Sequence, residues 1–175
     1  VTESKNIKNY DKIVLPGIGN FDEVVNKCRL NGFEAELNEH VVTKKKDVLG
    51  ICLGMQLMTN QSEEGEASGF KWINGSCKKF LSSGYNSSVH MGWNTIVNKT
   101  KGSILFNEAK QDSRYYFVHS YYIEVEDEKV LCNFSGYNKT KLVSSFEFEN
   151  IFGVQFHPEK SNRHGLMIFK NFYTK

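Results

Sequence analysis

Asp47-Val48-Leu49-Gly50-Ile51-Cys52-Leu53-Gly54-Met55-Gln56 is the stretch that decides how this chain folds. Val48 to Ile51 is a short apolar run of the kind that makes a buried parallel strand. It ends at Cys52, and a helical stretch, Met55 to Asn60, is predicted after Leu53 and Gly54. A cysteine on so sharp a strand-to-helix turn is lifted out of the sheet and stands at the positive end of the next helix. Glycines on either side permit strained backbone and keep the sulfur approachable. The helix N-terminus and a neighbouring base are expected to lower the thiol pKa toward a reactive thiolate. A cysteine in isolation reads as a small buried hydrophobe; the Gly-x-Cys-x-Gly setting is what marks Cys52 as a nucleophile.

A partner for that thiol stands near the C-terminus, in Gly153-Val154-Gln155-Phe156-His157-Pro158-Glu159. Ile151 to Phe156 reads as a second buried strand, and Pro158 stops it, which leaves His157 and Glu159 at a strand end. His157 can take the proton from Cys52. Glu159, two residues on, can hold the imidazole in one tautomer and stabilise its charged form. A His-Pro-Glu turn alone is an ordinary capped loop. With the cysteine elbow it completes a Cys-His-Glu triad whose members meet in space rather than in sequence.

Before these strands, Lys12 to Leu15 reads as a strand running into the turn Pro16-Gly17-Ile18-Gly19. Phe21 to Leu30 and Phe33 to Lys44 carry apolar residues at helical spacing (Phe21, Val24, Val25, Cys28), broken at Asn31-Gly32. Gln61 to Phe70 is polar and glycine-bearing, hence a loop. From Gly75 to Glu149 the texture becomes short alternating runs: Ser76 to Leu81, Thr95 to Val97, Tyr115 to Val125, Val130 to Phe134 and Leu142 to Phe148. Turns are predicted at Ser83-Gly84-Tyr85-Asn86 and Ser135-Gly136-Tyr137-Asn138. Gly165 to Tyr173 is a closing amphipathic helix. These elements imply an α/β fold, a three-layer α/β/α sandwich on a mixed central sheet with a strand-rich insertion.

The 175 residues suit a single domain, 1–175, with a core of its own, and the two prolines and absence of low-complexity linker agree. A net charge of +2 provides no field for nucleic acid or a membrane surface. The four cysteines, Cys28, Cys52, Cys77 and Cys132, lack paired metal spacing, as expected of a reduced cytoplasmic protein. The five histidines form no His-x-x-x-His pattern, so neither metal nor cofactor is expected. The chain shows no signal-like N-terminus and no apolar stretch of bilayer length.

Five segments together resemble class I (triad-type) glutamine amidotransferases, and among them the glutaminase subunits of imidazole glycerol phosphate synthases. They are Leu15-Pro16-Gly17-Ile18-Gly19, Gly50 to Gln56, His90-Met91-Gly92-Trp93-Asn94, Tyr116-Phe117-Val118-His119-Ser120-Tyr121, and Gln155-Phe156-His157-Pro158-Glu159-Lys160-Ser161. The resemblance implies glutamine as substrate and hydrolysis through a glutamyl thioester on Cys52. It implies an oxyanion hole from Leu53 and the Gly17-Ile18-Gly19 loop. It also implies that Gln56 and the backbone of Ser120 and Tyr121 hold the substrate's α-amino and α-carboxylate groups. Met91, Trp93 and Asn94 would face a synthase partner, a (β/α)8-barrel cyclase that receives the ammonia in a heterodimer. Neither His90 nor His119 is assigned to the triad, since only His157 has a carboxylate close by in sequence. Two departures stand out. The family's first strand and helix have no counterpart here, as though residue 1 falls about one βα unit (roughly 30 residues) into the pattern. Ser88-Val89 also replaces a usual proline before His90, a change expected to alter the turn and leave the chemistry alone.

Two further readings compete. One keeps the chemistry but feeds an aminosugar amidotransferase in surface-polysaccharide synthesis, favoured by the basic tail Lys160-Ser161-Asn162-Arg163-His164-Gly165. The other is a non-catalytic regulatory module on the same fold, which an intact Cys52, His157 and Glu159 disfavours.

Overall fold

The computed structural model describes residues 2–80, 88–98, 100–138 and 140–175. Its main sheet has seven strands: β1 (Lys12–Gly17), β2 (Asp47–Cys52), β5 (His90–Asn98), β6 (Arg114–His119), β8 (Leu131–Tyr137), β9 (Thr140–Phe148) and β10 (Ile151–Val154). Their spatial order is β1-β2-β10-β9-β8-β5-β6. β1, β2 and β10 run parallel, and β10 turns the sheet antiparallel by pairing with β9. A second sheet has three strands, β3 (Gln61–Ser62), β4 (Gly75–Lys79) and β7 (Tyr121–Val125). β3 falls in the predicted loop 61–70, and the other strands of the strand-rich stretch 75–149, β5, β6, β8 and β9, join the main sheet instead of forming an insertion.

Alternation along the central strands builds two cores. Leu49 and Ile51 of β2 and Phe152 and Val154 of β10 face α4 (Asn162–Thr174), where Ile168 and Phe172 are fully buried. Val48 and Ile151 face the opposite layer, made of α1 (Phe21–Leu30), α2 (Phe33–Asn38) and the small sheet. The result is the expected three-layer α/β arrangement. α1 follows its sequence pattern: Phe21 and Val25 are buried, with Val24 and Cys28 packed beside them. Asn20 caps it, its Oδ1 accepting from Glu23 N at 3.1 Å, and acidic first-turn and basic last-turn residues suit the dipole. β1 forms one edge of the main sheet, with Lys12 to Leu15 only half buried.

Several elements differ from their sequence reading. The helix after Cys52, α3 (Leu53–Gln56), stops four residues short of Asn60. Beyond it Met58 N and Thr59 N make the tighter i→i−3 bonds to Met55 O (3.3 Å) and Gln56 O (3.0 Å), and Asn60 N, which a longer helix would bond to Gln56 O, donates instead to Gly75 O at 2.9 Å. α2 ends at Asn38 and passes into a π-helical turn, Glu39–Thr43. The Tyr115 to Val125 run is two strands, because the chain crosses from the main sheet to the small one at Ser120. Ser135-Gly136-Tyr137 belongs to β8 rather than to a turn; the hairpin tip comes at Asn138, φ 45°. The predicted strand at 95–97 extends over β5, and Ser83-Gly84-Tyr85-Asn86 lies outside the described residues. Among the described residues no helix is long and apolar enough to cross a membrane.

Candidate active site

β1 and β2 end together, Gly17 opposite Cys52, so the glycine-rich turn and the cysteine elbow open at the same sheet edge. Cys52 has φ 53° and ψ −112°, a strained conformation for a residue with a Cβ. The glycines serve this bend by allowing close approach rather than by bending themselves. A Cβ on Gly54 would lie 1.8 Å from the Leu15 carbonyl oxygen, and one on Gly17 would lie 2.7 Å from Gly54 N. The start of α3 is thus seated directly on the end of β1.

The elbow forms one wall of a cavity of about 380 Å³, at the small end of ligand clefts. Ile18, Gly19, Cys52, Leu53, Gln56, Ser120, Tyr121 and His157 all line it, although they come from four separate parts of the chain. Gly17 sits behind, supporting the turn. The backbone of His157 is fastened to β6: its N donates to Tyr116 O at 2.8 Å, and its carbonyl accepts from Ser161 Oγ at 2.6 Å. Its side chain, 6% exposed, donates from Nδ1 to Glu159 Oε1 at 2.7 Å, while the carboxylate itself is half exposed. Nε2 of His157 is therefore left for the cavity.

The expectation of a lowered Cys52 pKa is not met. Burial pushes the thiol up to about 11, and the opposing Leu53 backbone and Gln155 side-chain hydrogen bonds do not offset it. With only four residues, α3 offers little dipole against that desolvation. Cys52 is a thiol at neutral pH, and its S–H points to Val118 O at 3.9 Å.

His119 also lines the cavity but cannot serve as the base. Its Nδ1 donates to Tyr121 O at 2.7 Å and its Nε2 meets His90 Nδ1 at 3.1 Å, so both ring nitrogens are occupied. Burial drives His119 down to about 3 and His90 to about 4, leaving both neutral. The segment 91–94 divides by strand alternation. Met91 and Trp93 point outward, 64% and 47% exposed, with Trp93 edge-on to Tyr116. Asn94, expected beside them at a partner surface, instead turns its amide inward to His90 Nε2 (3.1 Å) and Gly136 O (2.7 Å).

Sequence reading missed Glu64 and Lys160, which bring a carboxylate and an ammonium to the cavity wall. Glu64 lies in a polar loop with no motif of its own. It is oriented by accepting from Phe21 N at 2.8 Å, a contact 43 residues away in sequence.

A family model for class I glutamine amidotransferases matches residues 1–175. The chain belongs to this family. It is 40% identical to the imidazole glycerol phosphate synthase subunit HisH of Leptospira borgpetersenii, over 98% of this chain and 85% of that protein. It is 43% identical to HisH of Pelagibacter ubique over 95% and 80%, and 42% identical to HisH 2 of Methanococcus maripaludis over 95% and 81%. Among solved structures, a glutamine amidotransferase superposes with TM-score 0.72 at 14% identity, covering 99% of this chain and 85% of its own. PurLQS of Thermotoga maritima gives TM-score 0.70 at 17% identity, covering 95% and 81%; at these identities the likeness concerns the fold.

Proposed function

We propose that this chain is the glutaminase subunit of an imidazole glycerol phosphate synthase, hydrolysing glutamine and passing ammonia to a cyclase partner in histidine biosynthesis. One observation carries the chemistry: a strained Cys52 shares a small cavity with His157, whose Nδ1 is held by Glu159. The substrate's carboxamide enters beside Cys52, with Glu64 the natural partner of its ammonium group and Lys160 of its carboxylate. The thiol proton passes to His157 Nε2 as sulfur attacks the carboxamide carbon. The resulting oxyanion takes N–H bonds from Leu53 and from the Gly17-Ile18-Gly19 turn. His157 returns the proton to the departing nitrogen, ammonia leaves, and a glutamyl thioester remains. Water, deprotonated by the same imidazole, attacks the thioester and frees glutamate and the thiol.

In the resting geometry the thiol hydrogen-bonds Val118 O, and burial holds it protonated. The chain alone is therefore a slow glutaminase, and a barrel-shaped cyclase docked over Met91 and Trp93 speeds it by favouring the arrangement in which the thiol meets His157. Released ammonia then travels into the partner rather than into solvent. The test reconstitutes the chain with a synthase subunit and follows glutamate release together with imidazole glycerol phosphate formation. Cys52→Ala should abolish the glutamine-dependent reaction and leave the ammonia-dependent one intact. Glutamate release by that variant at a wild-type rate would refute the nucleophile. Coupling to an aminosugar-forming partner but not to a cyclase would move the chain to the other pathway.

A further inference from the structure

Behind the cavity runs a chain of hydrogen bonds whose direction is fixed at every link. Gly136 O and Tyr121 O are backbone carbonyls and can only accept. Asn94 Nδ2 donates to the first, and its Oδ1 accepts from Thr95 N at 2.8 Å, so the amide orientation is settled and its second N–H faces His90 Nε2. His90 must then carry its proton on Nδ1 and donate it to His119 Nε2 at 3.1 Å, and His119 Nδ1 donates to Tyr121 O at 2.7 Å. The same carbonyl accepts from Gln56 Nε2 at 3.1 Å, whose other N–H goes to Gln155 Oε1, also at 3.1 Å. With Oε1 so engaged, the Gln155 amide can turn only its N–H side to the elbow, and Nε2 lies 3.7 Å from Cys52 Sγ. Gln155 is fully buried, so water cannot replace this donor.

We infer that Gln155 is a further catalytic residue, its side-chain N–H held against the Cys52 sulfur to stabilise the thiolate that attacks the substrate. The inference rests on the glutaminase reading above. His157 removes the proton, but the negative charge left on sulfur sits in a buried pocket facing the Val118 carbonyl, an acceptor that cannot stabilise it. A fixed amide donor supplies part of what lost solvation removed. His90, His119 and Asn94 are positioning residues in this scheme: they fix the carbonyl that fixes Gln56, which fixes Gln155.

The experiment compares the full chain with Gln155→Met, which keeps length and loses the donor, and Gln155→Glu, which keeps shape and turns an acceptor toward sulfur. Iodoacetamide modification of Cys52 is followed by mass mapping between pH 7.5 and 9.5, alongside glutaminase rates with the synthase subunit. Loss of the donor should raise the apparent thiol pKa by about one pH unit, a tenfold smaller thiolate fraction. Because a more basic thiolate is also the better nucleophile, alkylation at fixed pH should fall about threefold. The glutaminase kcat should fall roughly tenfold, with KM for glutamine little changed. Gln155→Glu should fall at least as far, and it serves if Gln155→Met does not fold. An unchanged alkylation profile in either folded variant overturns the inference, whatever its melting temperature. Cys52→Ala separates the two layers: if it still hydrolyses glutamine the glutaminase reading fails, and if it is inactive while the Gln155 variants are normal, only the role of Gln155 fails.

Discussion

Gly54→Ala tests whether the elbow is held by the contact between β1 and α3. The added Cβ would stand 1.8 Å from Leu15 O and 2.9 Å from the Leu15 carbonyl carbon. An unstrained carbon–oxygen contact is about 3.3 Å, so the gap must open by roughly 1.5 Å. Leu15 cannot retreat freely, because it sits in the parallel ladder opposite Gly50. Overpacking costs about 1–3 kcal/mol, and a backbone obstacle on a paired strand puts this case at the upper end. For a domain of this size that lowers Tm by about 6–12 °C. The remainder of the displacement falls on the first turn of α3, which carries the Leu53 N–H proposed as an oxyanion donor, and a misplacement near 1 Å costs on the order of 100-fold in rate. Gly19→Ala is the control for glycine content: nothing lies within 4 Å of its Cβ position, and the cost is the strain of φ 101° alone, about 1–3 kcal/mol confined to the turn. Thermal unfolding and partner-stimulated glutamate release measure both quantities. A Gly54→Ala protein that melts within about 2 °C of wild type and keeps its rate within about threefold would refute the packing argument.

Four other outcomes follow. His157→Ala should cost on the order of 10³-fold in kcat and Glu159→Ala only about 10–100-fold, because a half-exposed carboxylate is partly replaced by water; equal losses would disprove the orienting role. A glutamine-shaped diazo-ketone should label Cys52 and spare Cys77 and Cys132, because Cys52 lines the cavity together with His157 and the other two do not, and peptide mapping decides. Trp93→Ala should weaken binding of a cyclase subunit by calorimetry while leaving the isolated chain's stability within about 0.5 kcal/mol, since the indole is 47% exposed. Acid should destabilise the fold between pH 6.5 and about 3. Unfolded histidines gain protons below 6.5, whereas folded His90 and His119 stay neutral down to about 4 and about 3, so stability present above 6.5 is lost as pH falls. The loss should reach on the order of 2–4 kcal/mol by pH 5 in denaturant titrations, and a flat profile would contradict the buried neutral pair.

The sequence by itself carried the parts governed by local rules. Val48 to Cys52 had to be a buried strand, Phe21 to Cys28 an amphipathic helix, and Cys52, His157 and Glu159 were each marked by immediate neighbours: flanking glycines, a strand-ending proline, a spacing of two. What the sequence left undecided was set by contacts between distant segments. α3 stopped at Gln56 because Asn60 N donates to Gly75 O of the small sheet rather than back to Gln56 O. Asn94 faced inward with His90 by the alternation of β5, but that this face is the inner one was decided by its bonds to His90 and to Gly136 of β8. Glu64 reached the cavity through a bond to Phe21, and Gln155 was aimed at the sulfur by a chain of donors beginning 61 residues earlier, at Asn94. The thiol pKa rose rather than fell for the same reason. A helix start is legible in order along the chain, whereas burial belongs to the assembled sheets and helices, and at Cys52 burial outweighs the hydrogen bonds from Leu53 and Gln155.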